Sequence, residues 1–133
     1  MRFMVIVRAS KQYEAGVLPT AQELAEMHEF NETLVKDGVM LAAEGLRDTS
    51  YGARMRFSGK GKPVVIDGPF AETKELIAGF WLVSAKSKQE VVERYESCPF
   101  EEGEIEIRQI FEAEDFGEAL SAEARELEAR HRA

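Results

Sequence analysis

The stretch Asp67-Gly68-Pro69-Phe70-Ala71-Glu72-Thr73-Lys74-Glu75 packs a turn dipeptide, an aromatic ring and four charged groups between the apolar runs Val64–Ile66 and Ala78–Val83. Residues of these types in that pattern suit one wall of a polar pocket. An Asp in a turn ordinarily accepts a hydrogen bond from the amide two residues on. Here that residue is Pro69, which has no N–H. The Asp67 carboxylate is left to cap the loop through the Phe70 amide, to reach a distant donor, or to serve a ligand, and capping is the commoner use. Desolvated beside Phe70 and Trp81, it would suit general acid–base work. Asp67 is therefore the candidate base, with His28 or Glu72 assisting. Glu44, Arg47, Asn31 and Lys74 are the candidate polar ligand contacts, and Phe70 and Trp81 the candidate ring surfaces. Each has a plainer use. Glu72 and Lys74 suit a solvated loop, Trp81 the core, and His28 a half-exposed helix edge. Asn31 falls inside an apolar helical stripe and there suits a hydrogen bond to a strand backbone.

Other chemistries lack their residues. No His-x-x-x-His, Cys-x-x-Cys or Asp-rich loop provides metal ligands, and no Gly-x-Ser-x-Gly elbow or Cys–His context provides a nucleophile. Gly59-Lys60-Gly61-Lys62 is not followed by a helix, so it is not a phosphate loop. His28 is the only histidine placed for an axial haem ligand, which is too little for a haem site. No cofactor or metal is expected.

The elements that must position these groups follow from periodicity. Phe3–Val7 is an unbroken β-forming run. Residues 10–18 suit a loop. Thr20 and Glu23 form a capping box that opens a helix with Leu24, Met27, Leu34 and Val35 inward and Phe30 beside them, closed at Asp37-Gly38. Strands are expected at 39–43, 51–57, 64–66, 78–83 and 104–111, and the turn cluster at 58–63 joins two of them in a hairpin. Ser87 and Glu90 open a second helix, with Val91, Val92, Tyr95 and Cys98 as its stripe and Pro99 as its stop. Cys98 suits a small core residue. A last helix is expected over about 118–130, with Phe116, Leu120 and Leu127 as a thin apolar edge.

The nine-residue motif followed by Gly79-Phe80 resembles the signature of DGPF-domain proteins within the YCII-related family. Gly38-Val39-Met40-Leu41, Glu44-Gly45-Leu46, Ser97-Cys98-Pro99 and Glu104-Ile105-Glu106-Ile107-Arg108 resemble that family's helix exits and core strands, so the likeness spans about residues 1–112. It implies a ferredoxin-like α+β fold dimerising into an α/β barrel. Some YCII-like members are proposed to hold a His–Asp pair in a cleft. DGPF members are often linked to extracytoplasmic-function sigma factors, which implies a sigma factor as partner.

Read from the elements themselves, the order with the hairpin removed is βαββαβ, the ferredoxin-like α+β pattern. Its two helices shield one sheet face, while the strands carry large apolar groups on both. A second copy packed sheet to sheet is the simplest cover, giving a homodimer. A ferredoxin-like domain at 1–112 is thus expected, followed by an acidic helical extension at 113–133. Of the net charge of −8, residues 101–133 carry −7, from eleven acids and four Lys/Arg. The only basic cluster, Arg54, Arg56, Lys60 and Lys62, is too small for direct nucleic-acid binding and suits a solvated hairpin. No membrane span or signal peptide is evident, and the single cysteine is compatible with a cytoplasmic location. The functional expectation is a dimeric domain binding a small molecule or a regulatory partner. The alternative is a small acid–base enzyme acting on a small organic substrate.

Overall fold

The computed structural model describes residues 1–71, 75–119 and 121–131. In chain order it contains β1 (Arg2–Arg8), α1 (Lys11–Glu14), α2 (Ala21–Lys36), β2 (Met40–Gly45) and a 3₁₀ turn at Thr49–Tyr51. There follow β3 (Ala53–Arg56), β4 (Val64–Asp67), β5 (Ile77–Ser84), α3 (Lys88–Tyr95), β6 (Ile105–Gln109), a 3₁₀ stretch at Ala113–Ala119 and α4 (Ala122–His131). Four strands make one antiparallel sheet in the order β2-β5-β1-β6, and β3-β4 stand apart as a two-stranded sheet. With that hairpin set aside, the order is the one a ferredoxin-like βαββαβ chain produces.

Alternation decides which side of the sheet is covered. Phe3 and Val5 of β1 and Trp81 and Val83 of β5 are buried, and they cluster with Phe30 and Leu34 of α2 and Val91 and Tyr95 of α3. The intervening residues Met4, Ile6, Phe80 and Leu82 point to the other face and are only half-buried. They pair across β1 and β5 as Met4↔Leu82 and Ile6↔Phe80, a continuous apolar strip outside the buried cluster. Arg8–Glu106–Arg108 ion pairs run along one flank of it, on the β6 side.

The Thr20/Glu23 capping box forms as its sequence requires, whereas the box read at Ser87 and Glu90 forms only by half. Thr20 Oγ1 accepts from Glu23 N while Glu23 returns a bond to Thr20 N. Ser87 Oγ accepts from Glu90 N, but the Glu90 carboxylate reaches Lys86 N rather than Ser87. Further details differ from the sequence reading. Val92, read as part of the inward stripe of α3, is 37% exposed. Residues 11–14 are not loop but the short helix α1, because Ser10 Oγ accepts from Tyr13 N and caps it. The inward face of α2 is Met27, Phe30, Asn31 and Leu34. Leu24 and Val35 are 58% and 62% exposed, since the face that meets the sheet is centred on Phe30. The last sheet strand is shorter than expected. Finally, α4 begins at Ala122 rather than 118, because Gly117 takes φ 58, ψ −134 and breaks the helical path. Leu120 lies outside the described residues.

Cys98 packs against the buried cluster and its thiol is pushed up from 9.0 to about 11 by burial. Burial likewise raises the Tyr95 phenol, whose hydroxyl makes no hydrogen bond among the described residues. Both groups are acids held in their neutral form. The Cys98 contribution to stability is complete below pH 9.0 and is lost as pH climbs through about 11, while that of Tyr95 is complete below pH 10.0 and is lost at higher pH still. Urea unfolding midpoints are therefore expected to be flat from neutral pH to about pH 8 and to fall beyond it, with native Cys98 alkylating far more slowly than the unfolded chain. A midpoint unchanged between pH 8 and 11, or equal alkylation rates, would contradict this placement.

Candidate functional site

The 67–75 stretch is seated by a hydrogen-bonded chain that starts in α1. The Glu14 carboxylate takes the Thr49 amide on one oxygen at 2.9 Å and the Thr49 hydroxyl on the other at 2.5 Å. Thr49 Oγ1 in turn accepts the Phe70 amide at 2.9 Å. That last bond settles where the Phe70 N–H goes: Thr49 takes it, and Asp67 does not cap the loop in the expected way. Gly68 N donates to Gly52 O, which closes the segment onto the end of the 3₁₀ turn. The Tyr13 hydroxyl donates to Ala78 O and so ties α1 to β5. Burial, then Asp48 and Glu14, holds that phenol above its usual value.

These ties frame an open groove of about 480 Å³ where β2 ends and β5 begins. Leu46, Tyr51, Phe70, Leu76 and Ile77 supply apolar walls, and Arg47, Arg54, Asp48 and Glu75 supply charge. The Arg47 guanidinium lies over the Tyr51 ring at 4.5 Å, and that of Arg54 over the Phe70 ring at 4.0 Å. Arg54 is thus part of the groove, not simply a cation of a solvated hairpin. The Asp48 carboxylate is engaged by the Ser50 amide and hydroxyl, and these bonds hold it below the usual carboxylate range.

The expected convergence of polar groups divides into separate places. Arg47 and Phe70 do meet in the groove. Asp67 is exposed at the end of β4, opposite Ala53, while Arg54 and Ile66 form the adjacent pair. Alternation therefore puts Asp67 on the hairpin face away from Arg54, and its carboxylate has no hydrogen bond among the described residues. Glu44 lies opposite Phe80, on the open face of the large sheet. His28 is on the solvent side of α2, with Nε2 2.9 Å from the Glu32 carboxylate. Trp81 is 4% exposed within the buried cluster, and its Nε1 donates to Asn31 Oδ1 at 2.9 Å. The inward polar position on α2 is thus satisfied by the indole rather than by a strand backbone. Glu72 and Lys74 lie outside the described residues.

Removing the Asn31 carboxamide leaves a buried N–H without its acceptor. Asn31→Ala is expected to destabilise the protein by about 1–3 kcal/mol in urea unfolding followed by the fluorescence of the only tryptophan. A loss below a few tenths of a kcal/mol would mean that the indole has another acceptor.

Sequence reasoning missed Glu14, Asp48, Thr49 and Tyr51. Glu14 and Thr49 are 35 positions apart and carry no joint signal. Tyr51 reads as an ordinary strand residue until Arg47 is seen above it. Among the described residues no group of three or more His, Cys, Asp or Glu is placed to hold a metal ion, and no helix is long and apolar enough to cross a membrane.

A family model for the YCII-related domain matches residues 1–114. An uncharacterized protein of Rhizobium meliloti (strain 1021) is 39% identical over 59 residues, which are 44% of this chain and 47% of that protein. The chain thus spans about half the length of that curated relative. Among solved structures, 5-chloro-2-hydroxyhydroquinone dehydrochlorinase from Burkholderia phenoliruptrix AC1100, in complex with 2,5-dihydroxybenzoquinone, is similar over 86% of this chain and 98% of its own. The TM-score is 0.44 and the identity 12%.

Proposed function

This chain belongs to the YCII-related domain family, and we propose that it works there as a dimeric small-molecule-binding domain whose ligand occupies the groove between Arg47 and Phe70. The observation that carries this reading is the groove itself. Its volume of about 480 Å³ suits a small organic ligand, and its walls are apolar with a few fixed charges. The Glu14–Thr49–Phe70 chain holds those walls in register before any ligand arrives. Dimerisation is supported by the apolar strip Met4, Ile6, Phe80 and Leu82, which lies outside the buried cluster and completes a sheet-to-sheet barrel when two copies meet.

The test is a fragment panel of small organic molecules followed by backbone amide NMR. Shifts should concentrate on residues 46–54, 70 and 75–77. Shifts spread over α2 or the strip around Phe80, or none at all, would remove the groove as the seat of binding.

The acid–base alternative keeps one observation in its favour, the carboxylate of Asp67, which makes no hydrogen bond among the described residues. With Asp67 as base and His28 or Glu72 assisting, a substrate would have to lie on the outer face of the hairpin, and Asp67→Asn would abolish turnover while leaving groove binding intact. The nine-residue motif supports placement in the DGPF subgroup, and with it a sigma-factor partner docking on the acidic segment 113–133. Co-purification that survives deletion of that segment would dismiss the docking role.

A further inference from the structure

We infer that the groove selects a small planar monocarboxylate, such as an aromatic acid, with Arg47 as the residue that receives the carboxylate; this rests on the groove being the binding seat. The Arg47 guanidinium carbon sits 4.5 Å from the centroid of the Tyr51 ring. Among the described residues it makes no hydrogen bond or ion pair. A guanidinium carries five N–H groups in a fixed fork, and with none of them bonded among the described residues they are able to meet two carboxylate oxygens in parallel. The contact with the ring also restrains a long side chain, which lowers the cost of ordering it on binding.

Charge count and wall chemistry narrow the class. Arg47 and Arg54 are balanced in the lining by Asp48 and Glu75. Asp48 lies close enough to Arg47 to interact with it electrostatically, so a doubly charged phosphate meets more repulsion there than a singly charged carboxylate. The rest of the ligand meets Leu46, Leu76, Ile77 and the Phe70 ring. A flat apolar body buries area there without asking for hydrogen bonds, and a ring stacks favourably on an aromatic wall.

Four probes test this by amide NMR titration of the full chain: benzoate, benzamide, cyclohexanecarboxylate and inorganic phosphate. Benzoate should bind with shifts at residues 46–54 and 70, at least tenfold tighter than benzamide and phosphate and measurably tighter than cyclohexanecarboxylate. Arg47→Gln should weaken benzoate roughly ten- to a hundredfold and benzamide far less, narrowing the difference between the two probes. Arg47→Lys should restore only part of the loss, because an ammonium cannot make the paired contact. Benzamide binding the groove as well as benzoate would overturn the carboxylate class and leave the groove reading standing. Phosphate outcompeting benzoate would also overturn it. Failure of all four probes, together with a silent fragment panel, would remove the groove reading itself.

Discussion

Gly68→Ala is expected to destabilise the protein by about 3 kcal/mol or more, a large effect for one added methyl group. A Cβ built at position 68 falls 1.7 Å from Thr49 O, 2.7 Å from Thr49 C and 3.4 Å from Ser50 N. All three are backbone atoms, so no rotamer change can clear the clash. Thr49 is itself held by the Glu14 carboxylate and by its place in the 3₁₀ turn, and it holds the Phe70 amide. Making room therefore means parting the 67–70 segment from the turn, which breaks the Gly68–Gly52 backbone bond and moves the ring under Arg54. Gly61→Ala, where nothing lies within 4 Å and φ is unexceptional, is the control and should stay within about 0.5 kcal/mol of the parent. Urea denaturation of both variants reads the difference. Equal midpoints would mean that Gly68 does not sit against Thr49. Gly79→Ala, with contacts of 2.8 Å to Glu44 O and 3.3 Å to Gly45 Cα, should be intermediate, because the closest approach is far less severe than at Gly68.

The contrast between these glycines also shows what the sequence can and cannot convey. Strand and helix positions were legible because their causes are local: the Phe3–Val7 run, the Thr20/Glu23 box and the turn residues at 58–63 each act within a few positions. The ferredoxin-like pattern followed from the order of the elements. The 67–75 stretch stood out by composition, yet its seating depends on Thr49 and Glu14, which are brought to it only by the fold. The same limit explains Asp67. The missing amide at Pro69 was readable, but the β3–β4 register that turns the carboxylate away from Arg54 was not. Leu24 and Val35 read as inward because they share helical spacing with Met27; which face meets the sheet is set by Phe30 packing against Trp81 and Tyr95, at ring-centroid distances of 6.1 and 5.2 Å. Tyr51 and Arg54 were ordinary until the rings and guanidiniums stacked. Long-range side-chain partnerships leave no periodic trace in one sequence.

On the proposed pairing of open faces, Phe80→Asp converts the dimer to a folded monomer. Phe80 is central to the strip, with Ile6 across one strand pair and Glu44 across the other, and Leu82 lies two residues along its own strand. Ion pairs of Arg8 and Arg108 with Glu106 flank the apolar centre on the β6 side, the distribution of an association surface with a dry middle and a wet rim. A carboxylate at its middle must either lose water without a partner or hold the two sheets apart. Symmetry places it twice, so the dissociation constant should rise on the order of a hundredfold or more. Phe80 is not in the buried cluster, so the monomer keeps its helices and its circular dichroism. Val35→Asp, an equally drastic charge on the exposed side of α2, should leave the assembly intact. Sedimentation velocity over a dilution series distinguishes the outcomes. A parent protein with the mass of one subunit at every concentration, or a Phe80→Asp variant that still sediments as two, would show that this strip is not where copies meet, and the barrel would lose its second half.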